Sequence, residues 1–376
     1  MKSLVLYGAY DRYNFGDMLM PIAYQAYIEK YAPEVKDTFK IVHASTSVSD
    51  LTEYGCLKTE RITDHVSVLE PGSAVVVVGG ETLNAHKSGL MMMLAKTPEL
   101  FHRMKQLKAS APGKFDEIVD KKMGDMWDYP FMIPRERLGS GVKLVHNSVG
   151  GIPGDEGQLK ALAAAEYVSV RDYRFFQRKV AGWQRYTVAP CAVSLLAPRQ
   201  RLKAKAKYFV FQVSKEIGDK NTQQFVRQIA RIALTLQMKA LLLPIGYAAG
   251  HDDVEPLRRI HEMLPDVTVL HRQQHNSSIL GALASAQFYV GSSLHGAIIS
   301  MATGIPHFTL SLPKADAYMD AWSPFPQMFS RIDLSNLLDI LAILKPEHYE
   351  HMKTVATANR QLVKANLRDQ MKVILS

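Results

Sequence analysis

Cysteine is scarce: Cys56 and Cys191 are the only two in 376 residues, and neither sits in a paired motif. That excludes a disulfide framework and a thiolate metal site, so redox chemistry is not indicated. No apolar run reaches the roughly 18 residues a membrane-spanning helix needs. Met1 to Tyr10 carries one Lys and a short apolar run broken by Asp11, too little for a secretory leader. The expectation is a soluble, cytoplasmic chain. The three-glycine spacing of a dinucleotide fingerprint is missing after the first strand, which argues against a conventional NAD site. His271 and His275 have a metal-like spacing, but Pro265 and Asn276 bracket a strand and a loop there, so no metal is assigned.

The hydrophobic content, 47%, is that of an ordinary globular protein, and 376 residues exceed what one core usually organises. Two domains are expected: an N-terminal α/β domain over residues 1–198 with a helical insertion at about 88–137, and a C-terminal α/β domain over 199–345. Residues 346–376 read as a helix returning to the first domain. The formal net charge of +9 favours acidic partners, whether phosphorylated small molecules, anionic lipid or nucleic acid, and is equally compatible with a plain solvated surface. Arg199, Arg201, Lys203, Lys205 and Lys207 form a basic stretch between the halves. It suits a solvated linker or contact with an anionic membrane. No aromatic interleaving accompanies it, so no nucleic-acid partner is assigned.

Along the chain, Leu4–Tyr7 reads as a buried strand, Gly8–Phe15 as a loop, and Gly16-Asp17 as the opening of an apolar helix. Asp17 suits a helix cap or a substrate contact, and Asn14 and Gly16 fit a tight loop in either case. Phe39–His43 and Ala74–Val78 follow as strands, the latter all apolar like a central parallel strand and ending in Gly79-Gly80-Glu81-Thr82-Leu83-Asn84. Glycines there let a ligand approach the backbone, though such turns are also common structural features. Residues 88–137, with Met91-Met92-Met93 and several Lys, read as helices over the site. Strand Lys143–Val149, which includes Ser148, ends in Gly150-Gly151, and strand Glu166–Val170 runs into Arg171-Asp172. Arg171 could fork onto a phosphate or carboxylate, or pair with a neighbouring acid.

The second half repeats the alternation, with strands at Tyr208–Val213, Ala240–Leu243, Val267–Leu270, Gln287–Val290 and His307–Leu310. Lys215 follows the first of these, and His251-Asp252-Asp253 leaves the second loop, where an Asp caps the next helix and His251 is open to acceptor binding. The most informative stretch is Val290-Gly291-Ser292-Ser293-Leu294-His295-Gly296, followed by an apolar helix that stops at Gly304-Ile305-Pro306. A strand, a tight turn and a buried helix leave the amides from Ser292 to His295 without intrahelical partners at the positive end of the helix dipole, which suits an anion. The notable residues fall at strand carboxyl ends, which predicts a cleft between two α/β domains.

The blocks Asn14-Phe15-Gly16-Asp17, Gly79-Gly80, Ser169-Val170-Arg171-Asp172, Pro244-Ile245-Gly246 with Asp252-Asp253, and Ser292-Ser293-Leu294-His295-Gly296 resemble, in order, the polysaccharide pyruvyl transferase family. The resemblance covers about residues 4–310. Where many members carry an Arg two residues before the His, this chain has Ser293. The resemblance implies two facing Rossmann-like domains, similar to the glycosyltransferase-B architecture. It also implies transfer of the carboxyvinyl group of phosphoenolpyruvate to two hydroxyls of one sugar, giving a cyclic ketal on a polysaccharide precursor and free phosphate. That reaction needs no cofactor beyond phosphoenolpyruvate as co-substrate. His295 is then the acid–base residue; Arg171, Lys215, Ser292, Ser293 and Gly296 hold the donor. Asn14, Gly16, Asp17, Gly79, Gly80, Thr82, Asn84, Ser148, Gly150 and His251 lie on the side of the acceptor, a sugar or lipid-linked oligosaccharide. A glycosyltransferase using a nucleotide sugar and a non-catalytic sugar- or phosphate-binding protein are the alternatives, and the oligomeric state is not readable.

Overall fold

The apolar runs become the strands of two wholly parallel sheets, each helix-covered, so that the central strands are buried on both faces as their unbroken Val, Leu and Phe content requires. A computed structural model describes residues 2–95, 97–177, 185–203, 207–248 and 252–376. The first sheet contains β1 (Ser3–Tyr7), β2 (Lys40–Ser45), β3 (Glu60–Arg61), β4 (Ala74–Val77), β5 (Gly80–Glu81), β6 (Lys143–Gly150), β7 (Tyr167–Val170) and β8 (Thr187–Val188). Its order is β3-β2-β1-β4-β6-β7-β8, with β5 extending the edge of β6. The second sheet contains β9 (Tyr208–Gln212), β10 (Lys239–Leu242), β11 (Thr268–Leu270), β12 (Tyr289–Gly291) and β13 (His307–Thr309), in the order β11-β10-β9-β12-β13. Both are Rossmann-like, and in each the strand order reverses beside the first strand, at β1/β4 and at β9/β12. The crevice outside the carboxyl ends at such a reversal is where open α/β sheets bind ligands.

The chain divides into two compact units, the first built mainly from Met1–Ala192 and Val363–Ser376, the second mainly from Val193–Tyr247 and the chain up to Leu362. The division between them falls at Ala192, ahead of the basic stretch. In the first unit, residues 88–137 supply core. Helices Lys87–Met93, Pro98–Ser110 and Pro112–Met123 occupy this region. Phe115, Val119 and Met123 repeat at helical spacing and are buried together with Val75, Val77 and Phe131. The methionine cluster divides, with Met91 buried in that core and Met92 packed at its edge.

The helix Pro346–Leu375 ends in the first unit, where a polar network holds it. Asn147, on β6, donates to the Val78 carbonyl at 3.0 Å, while its Oδ1 accepts from Asn366 Nδ2 at 3.0 Å and Gln370 Nε2 at 2.9 Å. Tyr24 donates to Gln370 Oε1 and Tyr167 to Asn366 Oδ1, so these buried amides are paired. Asn147→Ala would orphan two buried amide donors at about 1–3 kcal/mol each. A lowered melting temperature and faster proteolysis within residues 363–376 are expected; an unchanged melting curve contradicts the role given to Asn147.

Candidate functional site

In the first unit the β1/β4 reversal gathers much of what the sequence singled out. The loop after β1 is pinned from within: Asp11 is buried against Arg12, whose Nε lies 2.7 Å from Asp11 Oδ1, and accepts the Thr46 and Ser47 hydroxyls at 2.7 Å each. Burial opposes ionisation of Asp11, but Arg12 and the two hydroxyls outweigh it and hold the carboxyl below its usual range. Asn14 takes the N-cap position of helix Phe15–Tyr31 without a side-chain capping bond, and Gly16 and Asp17 lie in its first turn. Asp17 is therefore not the cap. Gly79 and Gly80 have φ of 128° and 103°, which only glycine adopts without strain, and a Cβ on Gly80 would lie 3.4 Å from Asp17 Oδ1. Asn14, Gly16, Asp17, Gly79 and Gly80 thus come together, and Thr82 follows them, buried, its amide donating to the Gly150 carbonyl at 3.1 Å. Asn84 is exposed beside Gly151.

Three expected ligand contacts in this unit are engaged internally. Arg171 is 1% exposed, its guanidinium bonded to Glu81 and 3.8 Å from Asp172. Arg174 completes the cluster, reaching Glu81 Oε1 at 2.7 Å and Asp172 Oδ2 at 2.7 Å. Two cations face two carboxylates, so Arg171 does not present an open fork to a donor. Gly150 is explained by the same cluster: a Cβ there would stand 2.3 Å from Arg171 Nε, so the glycine makes room for the arginine rather than for a sugar. Ser148, with φ of 46°, receives Asn366 Nδ2 at 3.4 Å and donates its hydroxyl to the Pro190 carbonyl at 3.1 Å, which turns it away from an acceptor role. Removing one partner of a buried ion cluster costs about 3–5 kcal/mol. Arg171→Ala should accordingly lower the melting temperature sharply, with Glu81→Gln falling short of that; a folded Arg171→Ala protein of native stability removes the structural assignment.

In the second unit the β9/β12 reversal is organised by Gln212, which the sequence reading passed over. Its Oε1 accepts from Ser293 N at 2.7 Å, from Ser292 N at 3.0 Å and from the Ser292 and Tyr289 hydroxyls at 3.3 Å each. Its Nε2 donates to Asp253 Oδ2 at 2.8 Å. The opposite amide orientation would set its NH2 against two N–H donors, so the network fixes the assignment. The amides of Ser292 and Ser293, expected to receive the donor's anionic groups, are thus already occupied. Ser292 Oγ also accepts the Ser214 amide at 2.9 Å, tying the start of helix Lys215–Leu236 to the turn, and Ser293 caps helix Leu294–Thr303 through the Gly296 amide at 3.4 Å. Gly296 is required for packing: a Cβ would stand 2.6 Å from the Tyr289 ring. His295 lies in the first turn of this wholly buried helix, 9% exposed. Lys215, the first residue of its helix and 38% exposed, pairs with Asp219 at 3.0 Å. A pair that exposed contributes little and can be exchanged for a ligand. His251 lies outside the described residues.

Asp253, which the sequence offered as a helix cap, is the second group of the turn. It is 3% exposed, and its Oδ2 accepts the amides of Gly246 at 3.0 Å and Ile245 at 3.2 Å besides Gln212. Asp253 holds the N-cap position of helix Val254–Met263 without a side-chain capping bond, while its neighbour Asp252 accepts the Val254 amide at 2.8 Å. Burial outweighs the three N–H donors and pushes the Asp253 carboxyl up to about 7. A carboxyl raised in the fold favours the protonated state there. Its contribution to stability is therefore complete below the unfolded value near 4 and declines as pH rises toward 7, by up to about 4 kcal/mol. Melting temperatures measured from pH 4 to 8 should fall through that window in the native protein and fall less in Asp253→Asn; parallel curves would refute the assignment.

Residues 155–312 match the family model described as polysaccharide pyruvyl transferase, a stretch that contains Arg171, Lys215, Gln212, Asp253 and the turn to His295. No curated protein matches the chain. Among solved structures, MnaA of S. aureus in a co-structure with UDP aligns at 8% identity and TM-score 0.54, covering 100% of this chain and 97% of its own. UDP-GlcNAc 2-epimerase from Neisseria meningitidis, bound to UDP-GlcNAc, aligns at 10% and 0.51 over 100% of both chains. That from Methanocaldococcus jannaschii aligns at 10% and 0.51 over 97% and 99%. These likenesses are of fold: two parallel-sheet α/β domains of the glycosyltransferase-B kind. They carry the fold alone, and the family match covers residues 155–312.

Proposed function

We propose that the chain is a pyruvyl transferase that places a cyclic pyruvate ketal on a sugar, with phosphoenolpyruvate as donor. The observation that carries this reading is the turn Ser292–His295 at the β9/β12 reversal, inside the matched stretch, with His295 in the first turn of its helix. The reaction balances without a redox partner. A proton goes to the donor's methylene carbon, and one sugar hydroxyl attacks the adjacent carbon and loses its proton. The C–O bond to phosphate then breaks with the electron pair leaving on phosphate, and a second hydroxyl closes the ring and gives up its proton. His295 is assigned the proton given to carbon and those taken from the hydroxyls, since imidazole does both near neutral pH. Asp253, pushed up to about 7, can hold or release a proton in the same range and keeps Gln212 and the turn in place.

Lys215 is assigned the donor phosphate because it is partly exposed, three residues beyond the strand end at Gln212 and at the positive end of its helix. Arg171 is withdrawn from this role by its pairing with Glu81. On the acceptor side the half-exposed Asn14 and Asp17, with Gly79 and Gly80, form the polar, glycine-walled part of the first unit. A sugar or lipid-linked oligosaccharide made in the cytoplasm is the acceptor class. Among the described residues no helix is long and apolar enough to cross a membrane.

Phosphoenolpyruvate should raise the melting temperature, since a ligand specific to the folded state stabilises by about 2.7 kcal/mol at a hundredfold excess over its Kd. UDP-GlcNAc should not. Stabilisation by the nucleotide sugar alone would replace pyruvyl transfer with glycosyl transfer. In a folded protein His295→Ala is expected to cut turnover by about 100-fold or more. Lys215→Ala should raise the donor concentration for half-maximal rate about tenfold, the worth of one charged hydrogen bond. Retained turnover in His295→Ala would return the chain to the sugar-binding reading.

A further inference from the structure

The other end of the second sheet carries a feature that neither the donor nor the acceptor explains. Helices and strands begin and end there so that two concavities open side by side among the amino ends of the strands. One, of about 660 Å³, is lined by Arg201, Tyr349 and Lys353 around Phe288 and Ile305. The other, of about 580 Å³, is lined by Lys207, Lys239 and Leu234, and Met238 belongs to both. Catalytic candidates of this unit lie at the carboxyl ends of the same strands, so this is a separate surface.

Its charge is one-sided. Among the described residues Arg201, Lys207 and Lys239 form no ion pair, while Lys353 meets Glu350 at 2.6 Å. Asp266 is the acidic residue lining the second concavity. Just before this stretch the Arg360 guanidinium donates to the carbonyls of Ala197 at 2.7 Å, Pro198 at 2.8 Å and Ala302 at 2.9 Å. That bond set anchors the chain entering the basic stretch to the carboxyl end of helix Leu294–Thr303, where a cation is favoured. Of the stretch itself, Lys205 lies outside the described residues. Two aliphatic side chains beside these cations are exposed: Leu234, in the lining of the second concavity, at 67%, and Leu202, in the basic stretch, at 42%.

Exposed aliphatics framed by unpaired cations match a bilayer with acidic headgroups, where the cations meet phosphates and the leucines reach the acyl boundary. A polynucleotide offers the phosphates but nothing for Leu234. We propose that this face of the second unit docks on an anionic phospholipid membrane surface, independently of which donor the carboxyl-end site takes.

The test is sedimentation of the full chain with vesicles of phosphatidylcholine alone and of phosphatidylcholine mixed with phosphatidylglycerol. Binding is expected to the mixed vesicles only and to weaken as salt rises. Each cation at an anionic surface contributes about fivefold, so Lys207→Ala with Lys239→Ala should lower the partition coefficient about 25-fold. Leu234→Asp should lower it further, while melting temperatures and the phosphoenolpyruvate-induced shift stay at wild-type values because these side chains are exposed. Equal binding to both vesicle types, or undiminished binding by the double variant, overturns the proposal. So does release by millimolar inorganic phosphate, which would make the concavity a site for free phosphate, or a preference for duplex DNA over the mixed vesicles.

Discussion

Gln212 is the side chain on which the second unit's working end depends. Three loops leave the carboxyl ends of β9, β10 and β12, and each would otherwise bury polar groups without partners. Gln212 Oε1 satisfies the turn after β12, and its Nε2 reaches Asp253, which in turn accepts the amides after β10. One amide with an acceptor at one end and two donors at the other is the neutral group able to do this; a carboxylate would repel Asp253 and a leucine would orphan the amides. The helix amino end that geometry offers to an anion is therefore closed by the protein's own oxygen.

The first unit solves the same problem with charge. Glu81, Asp172, Arg171 and Arg174 neutralise one another at the ends of β5 and β7, where solvation is poor. Such a cluster adds little net stability over an apolar alternative, but it is costly to break and rigid once formed. It holds the segment after β4, and with it Gly79, Gly80 and Thr82, in one arrangement beside Asn14 and Asp17.

The longer strands were legible because buried parallel strands read as unbroken apolar runs, and Ala74–Val77 and Tyr208–Gln212 fall where those runs are. The short edge strands β3, β5 and β8 were not legible, since two residues carry no period. At the site, His295, Ser292 and Ser293 could be picked out from a local pattern, strand to turn to helix. Arg171 was found, but its pairing with Glu81 was not, because that partner is 90 positions away in the chain. Gln212 left no local signal, since it only ends an apolar strand, and Asp253 was read as a helix cap beside Asp252; only folding sets the two 2.8 Å apart. Glycines misled in the same way. Gly150 and Gly296 read as places for a ligand to approach, whereas Arg171 and Tyr289 already fill those spaces.

A parallel sheet sorts its loops into two sets, and the second unit uses them oppositely. At the carboxyl ends nearly every polar group is paired inside the protein: amides to Gln212, Gln212 to Asp253, Lys215 to Asp219. That pairing keeps the turn rigid before substrate arrives, which is what stabilising charge in a transition state demands, because no reorganisation then opposes the step. At the amino ends Lys207 and Lys239 form no ion pair among the described residues, although Asp266 lines the same concavity. Unpaired surface cations repel one another and add nothing to the fold, and a partner of opposite charge would relieve that repulsion. The net charge of +9 is thus not a uniform coat. In the second unit the rigid end is suited to chemistry, and the cationic end is suited to contact with an anionic surface.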